Sequence, residues 1–255
     1  MTEQRSNEWY RQRLGKLTAS EISVLMKDRK VAMTEEELAE WKKANPKSRV
    51  TTKVVPFSDA TFTYLNRKVM ENYLPLNSKS DDALSIVDEY IEEHSFSNRA
   101  MDWGTFWESA ARERYADAMG YEVIEVGFVP YKKYPNLAGG SPDGMVREEN
   151  GGCEIKCPFT LEKHFQHLLY ESPSELKENE EEYYWQCYMN MLVTDSDFWD
   201  FVSFNPYISK SKQLKVLRIE RDESEIKLLK ERIDLAVEYF KEQFANIEKI
   251  QTIIK

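Results

Sequence analysis

Residues 141–158 of the chain have the sequence SPDGMVREENGGCEIKCP and bring two acidic residues and a lysine into one short segment. Met145 and Val146 form an apolar run after Asp143, and residues 153–157 form a second run that favours a strand. Between them, residues 149–152 (Glu-Asn-Gly-Gly) include types that accept positive φ, as a tight turn requires. The segment therefore predicts a β-hairpin.

The alternation of side chains along a strand decides which residues of this hairpin meet. Glu154 and Lys156 share one face, while Ile155 points into the core. Asp143, at the start of the opposing strand, can approach the same point. Unpaired buried carboxylates are costly, so we expect a divalent cation held by Asp143, Glu154 and a backbone carbonyl such as that of Ile155. The all-oxygen ligand set indicates Mg²⁺, with Mn²⁺ as a substitute.

The composition is that of a folded, water-soluble protein. With 255 residues, 41% apolar and 13% aromatic, the chain can bury a core as one large domain or as a domain with an appended subdomain, and we expect a single domain over residues 1–255. No stretch resembles a signal peptide or a membrane span, so a cytoplasmic protein without a membrane partner is expected.

The three cysteines do not suggest a disulfide framework, because their number is odd. Cys153 and Cys157 lie four apart on a predicted strand, with His164 and His167 on the helix that follows. This spacing lacks the tighter CxxC pairs usual in structural zinc sites. Zinc is therefore disfavoured.

The net charge of −10 is unevenly distributed. Residues 1–70 contain 14 Lys and Arg against 9 Asp and Glu, which makes this part +5 and the remainder −15. Such a basic part suits a phosphate-bearing partner, and a solvated charged face without a partner is the alternative. Within it begins the stretch 27–98, which we interpret as a helical, locally basic elaboration of the domain.

A candidate anion site lies at Thr18-Ala19-Ser20-Glu21, where a hydroxyl residue can cap a helix. Free backbone N–H groups, the hydroxyls of Thr18 and Ser20 and the guanidinium of Arg13 can together hold a phosphate. An ordinary helix cap beside a surface arginine is the alternative.

Helices and strands alternate over the remaining sequence. Helices are predicted from the capping box at residues 34–37, from Ser58, and over 81–94, 98–119, 160–170, 181–193 and 223–247, and strands over 121–129, 197–205 and 213–220. In the helix 98–119, the aromatic residues Trp103, Phe106 and Trp107 are expected in the core. By helical periodicity alone, Glu108 is a surface residue.

Five strings of the sequence carry a family resemblance: RLGKLTASE at residues 13–21, WGTFWESA at 103–110, SPDG at 141–144, EIKCPFT at 154–160 and YYWQCYMNMLVT at 183–194. Pro142-Asp143 with Glu154-Ile155-Lys156 resembles the motif of the PD-(D/E)xK nuclease superfamily. Together the strings resemble the phage lambda exonuclease family, also called the YqaJ-type viral recombinases. The similarity covers residues 9–220 in the same order.

This resemblance implies an α/β (α+β) fold with a restriction-endonuclease-like core, in which helices flank a central mixed β-sheet, and a helical N-terminal portion. It implies Mg²⁺-dependent 5′→3′ exonuclease digestion of one strand of linear double-stranded DNA, leaving 3′ overhangs for phage-type homologous recombination. The implied partners are double-stranded DNA ends, two further copies in a homotrimer and a single-strand annealing protein. The implied setting is the cytoplasm of a bacterial host cell, with a phage or prophage gene.

The resemblance also implies roles for individual residues. Asp143, Glu154 and Lys156 match the catalytic residues; Glu108 matches a helical acid in the metal shell, which can act through water, and Gln186 a glutamine near the active site. Arg13, Ser20 and Ser141 match positions that grip the terminal 5′-phosphate of the degraded strand. Met101 matches an apolar wedge at the duplex end, and a buried methionine is the alternative.

Two other functions remain open from the sequence. One is a structure-specific or restriction-type DNA endonuclease of the same superfamily. The other is an inactive DNA-end-binding scaffold for recombination, against which the intact acids and lysine count.

Overall fold

The structure, a computed structural model, describes residues 4–94 and 98–250. Its α-helices are α1 (Asn7–Arg13), α2 (Glu35–Ala44), α3 (Asp59–Glu71), α4 (Asp81–His94), α5 (Arg99–Met119), α6 (Leu161–Leu169), α7 (Pro173–Asn179), α8 (Glu181–Thr194) and α9 (Glu223–Ile247), with a 3-10 helix at Ala19–Met26. Its strands are β1 (Leu17–Thr18), β2 (Asp28–Ala32), β3 (Thr52–Pro56), β4 (Val123–Ile124), β5 (Val129–Pro130), β6 (Ala138–Gly140), β7 (Gly144–Val146), β8 (Gly151–Lys156), β9 (Phe198–Phe204) and β10 (Leu214–Glu220).

The central sheet is mixed and has the strand order β10-β9-β8-β7-β4. β8 and β9 run parallel, whereas the other neighbours are antiparallel. A smaller sheet, β1-β6-β5, brings the segment before the 3-10 helix beside the segment that precedes Ser141. Helices pack on both faces of the central sheet. The predicted fold class, a mixed sheet flanked by helices, is confirmed.

The predicted hairpin is β7–β8, in which Gly144 pairs with Cys153. Its turn differs from the prediction: Gly151 and Gly152 lie in β8 and do not have positive φ. They are glycines for a packing reason, because a Cβ at Gly151 would lie 2.1 Å from the Phe198 ring and one at Gly152 would lie 2.5 Å from the Trp199 ring. The aromatic side chains of β9 therefore leave no room for a side chain at these two positions of β8.

The two faces of the sheet carry two separate hydrophobic clusters. On one face, Ile155 and Val202 pack with Ala111 and Tyr115 of α5. On the other face, side chains of β9 pack against α8, which is buried over most of its length. Glu154, adjacent to Ile155 on β8, therefore points towards α8, as strand alternation predicts.

The stretch 27–98 is not helical throughout, which corrects that prediction. It contains an antiparallel ribbon, β2–β3, with alternating half-buried and exposed residues on both strands. Across the ribbon an apolar residue can pair with a charged one, as Val31 does with Lys53. The strands therefore bury too little to give a strong apolar pattern in the sequence. In addition, α2 separates the two strands along the chain. The predicted capping box at Thr34 and the cap at Ser58 are confirmed. Residues 95–97 of this stretch lie outside the described residues.

Two further predictions were wrong in detail, and one helix was not predicted. The strand 121–129 is two short strands in different sheets, since β4 pairs with β7 and β5 pairs with β6. A helix, α7, follows Ser172, where a capping box and a proline in the first turn begin it. Phe106, expected in the core, is 74% exposed because its side of α5 faces away from the sheet. None of the helices in the described ranges is long and apolar enough to cross a membrane.

Candidate active site

A cleft of about 800 Å³ opens at the edge of the α8 side of the sheet. Ten residues that the sequence singled out for a role line it: Arg13, Ser20, Met101, Glu108, Ser141, Asp143, Glu154, Ile155, Lys156 and Gln186. Thr18, also expected at the anion site, does not line the cleft, and its hydroxyl donates to Glu21. The ten lining residues come from six separate segments of the chain. The fold thus assembles these ten candidates in one place.

The hairpin brings Asp143, Glu154 and Lys156 into contact range. Asp143 Oδ2 accepts a hydrogen bond from the backbone N–H of Ile155 at 2.7 Å. Lys156 Nζ donates to Glu154 Oε1 at 2.7 Å and to Gln186 Oε1 at 3.2 Å. Lys156 Nζ also lies 4.7 Å from the ring centroid of Tyr183. The ammonium is therefore oriented by two helical residues as well as by its strand neighbour.

Asn190 completes the environment of Glu154 and was missed by the sequence analysis. Its Nδ2 donates to Glu154 Oε2 at 3.1 Å, so both oxygens of this buried carboxylate have a donor. Asn190 lies four residues after Gln186 on α8, and such residues share a helix face. That spacing, within a string already identified, was the signal for it.

Burial and neighbouring charges shift the pKa values of Asp143 and Lys156. Burial, with Glu154 and Glu108 nearby, raises the pKa of the Asp143 carboxyl well above its ordinary value. Burial alone lowers the pKa of Lys156, but Glu154 and Asp143 outweigh it and raise that pKa, so the ammonium is charged at neutral pH. Two crowded carboxylates with only oxygen donors match the preference of Mg²⁺ or Mn²⁺. The donor set fits a hard divalent cation.

Glu108 is a buried residue of the site, 8% exposed, which corrects its surface interpretation. Arg112 Nη2 donates to its Oε1 at 3.0 Å, and the Arg5 guanidinium pairs with its Oε2. Arg112 Nε also donates to the backbone oxygen of Asp143 at 2.8 Å. Over residues 4–94 and 98–250, no three His, Cys, Asp or Glu side chains converge closely enough to hold a metal ion. Glu108 is nevertheless close enough to Asp143 to contribute to the raised pKa of that carboxyl.

Arg5 reaches this site on an N-terminal strap, residues 4–6, which the sequence analysis did not consider. Gln4 Nε2 donates to the backbone oxygens of Val126 and Pro142, at 3.0 and 2.9 Å. Arg5 has a φ of 66°, in the left-handed region that a non-glycine residue enters at a cost. The strap is thus fixed to the same loop that carries Asp143.

The other end of the cleft carries the predicted anion site. Arg13 Nη1 donates to Ser141 Oγ at 3.1 Å, and Arg13 Nη2 donates to Ser20 Oγ at 2.7 Å. Trp9 contacts both Ser141 and Arg13. The Trp9 Nε1 donates to Ser141 Oγ at 3.1 Å, and Arg13 Cζ lies 4.2 Å from the centroid of the Trp9 ring. Trp9 and Arg13 are four apart on α1, and this spacing could have identified the tryptophan. Thr18 precedes a 3-10 helix and makes no side-chain cap to it.

Met101 lies at the rim of the cleft and is 51% exposed. The alternative of a buried methionine was therefore wrong. An exposed apolar side chain at a cleft rim can contact a base or another apolar ligand group.

The two cysteines and two histidines weighed for zinc do not share a site. Cys153 and Cys157 pack in the apolar cluster on the α5 face. His164 Nδ1 and His167 Nδ1 both lie within hydrogen-bond distance of Ser203 Oγ, at 2.9 and 2.8 Å. The histidines therefore belong to a buried polar network under α6.

The fold resembles those of known exonucleases. The crystal structure of the alkaline exonuclease LHK-Exo from Laribacter hongkongensis has a TM-score of 0.65 and 23% identity, over 96% of this chain and 97% of that one. The LHK-Exo complex with dAMP has a TM-score of 0.66 and 24% identity with the same coverage. A phage-related exonuclease from Haemophilus somnus 129PT has a TM-score of 0.58 and 15% identity, over 91% and 96%. No curated protein matches the chain.

The family model of the YqaJ-like viral recombinase domain matches residues 8–197, a range that includes the candidate anion site, the hairpin and α8. It covers most of the chain and contains every residue described above except those of the N-terminal strap and those after α8. The resemblance seen in the sequence strings is thus confirmed over the elements that build the cleft. The chain belongs to the YqaJ-like viral recombinase family.

Proposed function

We propose that the chain is a Mg²⁺-dependent exonuclease that degrades one strand of linear double-stranded DNA in the 5′→3′ direction and leaves 3′ overhangs for recombination. Membership of the viral recombinase family and the fold shared with alkaline exonucleases support a nuclease. The direction and the substrate form rest on the residues of the cleft.

One observation carries the proposal: a single cleft joins the anion site to the carboxylate–lysine centre. Ser141 receives hydrogen bonds from Arg13 and Trp9, and Asp143, two residues later, belongs to the catalytic group. A terminal phosphate held at Ser141 and Ser20 would place the first phosphodiester near Asp143. Such an arrangement favours cleavage one step inward from a 5′-phosphorylated end.

Lys156 acts on the phosphate as a charged donor. Burial lowers its pKa, but Glu154 and Asp143 outweigh burial and raise that pKa above the ordinary value of lysine, so the side chain carries a positive charge near neutral pH. Two of its three N–H donors are directed to Glu154 and Gln186. The third is available to the scissile phosphate, where it offsets the negative charge that develops during displacement. Gln186 and Asn190 keep the lysine and Glu154 in this orientation.

The cation would be held by Asp143, Glu154 and the backbone carbonyl of Ile155, with Glu108 acting through water. When bound, it supplies an activated water and neutralises charge on the phosphate. The residues of this chain prepare the site for it by crowding two carboxylates, which raises the pKa of Asp143.

The test is digestion of a linear duplex that carries a 5′-phosphate at one end only. We expect release of nucleotides from the phosphorylated 5′ end in Mg²⁺ and none in EDTA, with the complementary strand left intact. Cleavage of closed circular duplex would instead identify an endonuclease. Binding of phosphorylated ends without release of nucleotides in Mg²⁺ or Mn²⁺ would identify an inactive scaffold.

We also propose the homotrimer and the single-strand annealing partner that the family resemblance implies, in the cytoplasm of a bacterial host cell. Leu161, Phe165 and Leu169 form an exposed apolar row along α6, at 50%, 58% and 59% exposure. Such a row supports a protein contact on this side. Light scattering after size-exclusion chromatography measures the number of copies directly.

A further inference from the structure

The segment between Arg13 and Ser20 is anchored to α3, which lies outside the cleft. Gly15, in the left-handed region at φ +70°, donates its backbone N–H to Glu71 Oε2 at 2.8 Å. Asn72 Nδ2 donates to the backbone oxygen of Gly15 at 2.8 Å, and a Cβ at Gly15 would lie 2.5 Å from that nitrogen. The turn that follows Arg13 is therefore held by the C-terminal end of α3.

The same end of α3 also reaches the other side of the segment. Lys68 Nζ lies 3.0 Å from Glu21 Oε2 and 3.2 Å from Glu71 Oε2, and the lysine is 5% exposed. Glu21 follows Ser20 directly, and its Oε2 accepts a hydrogen bond from Thr18 Oγ1 at 3.1 Å. One buried ammonium therefore links the carboxylate that holds Gly15 to the carboxylate beside Ser20.

The charges of this network also bear on Arg13. Burial alone raises the pKa of Glu21, but Lys68 and Arg67 outweigh it and hold that pKa below its ordinary value. Burial lowers the pKa of Arg13, and Glu21 is the charge that opposes this effect most strongly. A charged Glu21 thus favours the charged guanidinium that faces Ser20 and Ser141.

We propose that Lys68 is a positioning residue for recognition of the 5′-phosphate. It fixes the spacing between Arg13 and Ser20 by binding Glu71 at one end of the intervening segment and Glu21 at the other. The inference rests on the proposed function of the anion site and extends it to α3, which contributes no residue to the cleft lining. Removal of Lys68 leaves Glu21 and Glu71 with the half-exposed guanidinium of Arg67 and without the buried ammonium between them, so the segment is expected to shift.

The experiment compares initial rates on two linear duplexes that differ only in a 5′-phosphate or a 5′-hydroxyl. The ratio of the two rates reports recognition, because a general loss of folded protein lowers both rates together. We expect Lys68→Met to lower the ratio on the order of tenfold, in the same direction as Arg13→Ala. In an Arg13→Ala background, Lys68→Met should lower the ratio no further, because it acts through Arg13. Lys68→Arg should restore part of the ratio.

Two further variants make the result decisive. Glu71→Gln keeps the size of the side chain and removes one charge from the network, so it lowers the ratio even if Lys68→Met does not fold. Lys53→Met is the matched control, since Lys53 forms an exposed ion pair with Glu37, and it should leave the ratio unchanged. If Arg13→Ala lowers the ratio while Lys68→Met and Glu71→Gln leave it at the wild-type value, the role of Lys68 is overturned. If Arg13→Ala itself has no effect, the proposed 5′-phosphate site is wrong, and the role of Lys68 falls with it.

Discussion

Asn190 on α8 donates its Nδ2 to Glu154 Oε2 on β8 at 3.1 Å, and neither side chain is exposed to more than 1%. Lys156 occupies the other oxygen of the same carboxylate. Glu154 therefore has a fixed orientation before any cation binds. The hydrogen bond links α8 to the strand that carries Lys156.

Asn190→Ala should weaken metal-dependent activity through Glu154. The substitution leaves a buried carboxylate oxygen without its donor, which costs about 1–3 kcal/mol of stability, and lets Glu154 rotate. We expect urea unfolding at lower denaturant concentration and half-maximal activity at a higher Mg²⁺ concentration. Asn205→Ala is the control, because Asn205 is equally buried but donates to the backbone oxygen of Pro158. It should lose similar stability with no change in the Mg²⁺ titration, and an equal change in both variants would contradict the role of Asn190.

Lys156→Met should reduce the rate of nucleotide release by about 10²–10³-fold, because it removes a positioned charge from the transition state. Methionine retains much of the aliphatic length, so the fold should persist by circular dichroism. Lys163→Met is a suitable comparison, since Lys163 lines the same cleft but pairs with Glu180, and its effect should be much smaller. Undiminished digestion by Lys156→Met would exclude the proposed mechanism.

Arg5→Ala should strengthen binding of Mn²⁺ to the protein without DNA. The Arg5 guanidinium pairs with Glu108, and Asp143 also favours the charged form of Arg5. The positive charge of Arg5 therefore repels a cation at these carboxylates. We expect the dissociation constant in calorimetry to fall several-fold, up to roughly tenfold for about 1.4 kcal/mol of relieved repulsion. Arg11→Ala, which breaks an ion pair between α1 and Asp88 of α4, should leave the dissociation constant unchanged. Weaker Mn²⁺ binding by Arg5→Ala would mean that the strap supports the site.

Met101→Ala should slow digestion of duplex DNA more than digestion of a 5′-phosphorylated single strand. If the exposed side chain at the cleft rim acts as a wedge, it assists separation of the terminal base pair, a step that the single strand does not need. The measurement is the ratio of the two rates for the variant and the wild type. An equal loss on both substrates would assign Met101 to general contact with the strand.

Stability should fall on acidification through His167. Burial, and then Lys163, lower the pKa of this ring from 6.5 to about 3. The unfolded chain takes up the proton below its ordinary pKa while the folded chain stays neutral, so stability is lost as the pH falls from 6.5 towards 3. The slope reaches about 1.4 kcal/mol per pH unit.

Urea unfolding at pH 7, 6 and 5 checks this prediction. In a neutral His164, Nε2 donates to the backbone oxygen of Lys212, so Ser203 donates to its Nδ1 and accepts from His167 Nδ1. His167→Asn can keep that last donor and has no proton to gain, so its stability should vary less with pH. An identical slope in the variant would show that another group is responsible.

The hairpin, the flanking strings and the long helices could be predicted because local pattern and tertiary environment agree there. Strand alternation placed Glu154 and Lys156 on one face, and the structure has them on the α8 side. The β2–β3 ribbon could not be predicted, because both strands are half-exposed and nearly lack an apolar face. The role of Arg5 could not be predicted for another reason: it depends on a contact with Glu108, which lies 103 positions away in the sequence.

The supporting residues missed in the sequence share a simpler pattern. Asn190 follows Gln186 by four residues, Arg112 follows Glu108 by four, and Trp9 precedes Arg13 by four. In each case the missed residue lies one helical turn from a recognised one. Examining that neighbour for every candidate would have found all three.

The two ends of the cleft rest on elements of very different burial. α8, which carries Gln186 and Asn190, is buried over most of its length, whereas α1, which carries Arg13, contains no fully buried residue. Amide hydrogens of α8 should therefore exchange only on global unfolding, and those of α1 through local fraying. In the proposed function, the protein would release a DNA terminus by opening one short helix while the carboxylate–lysine centre stays assembled for the next encounter.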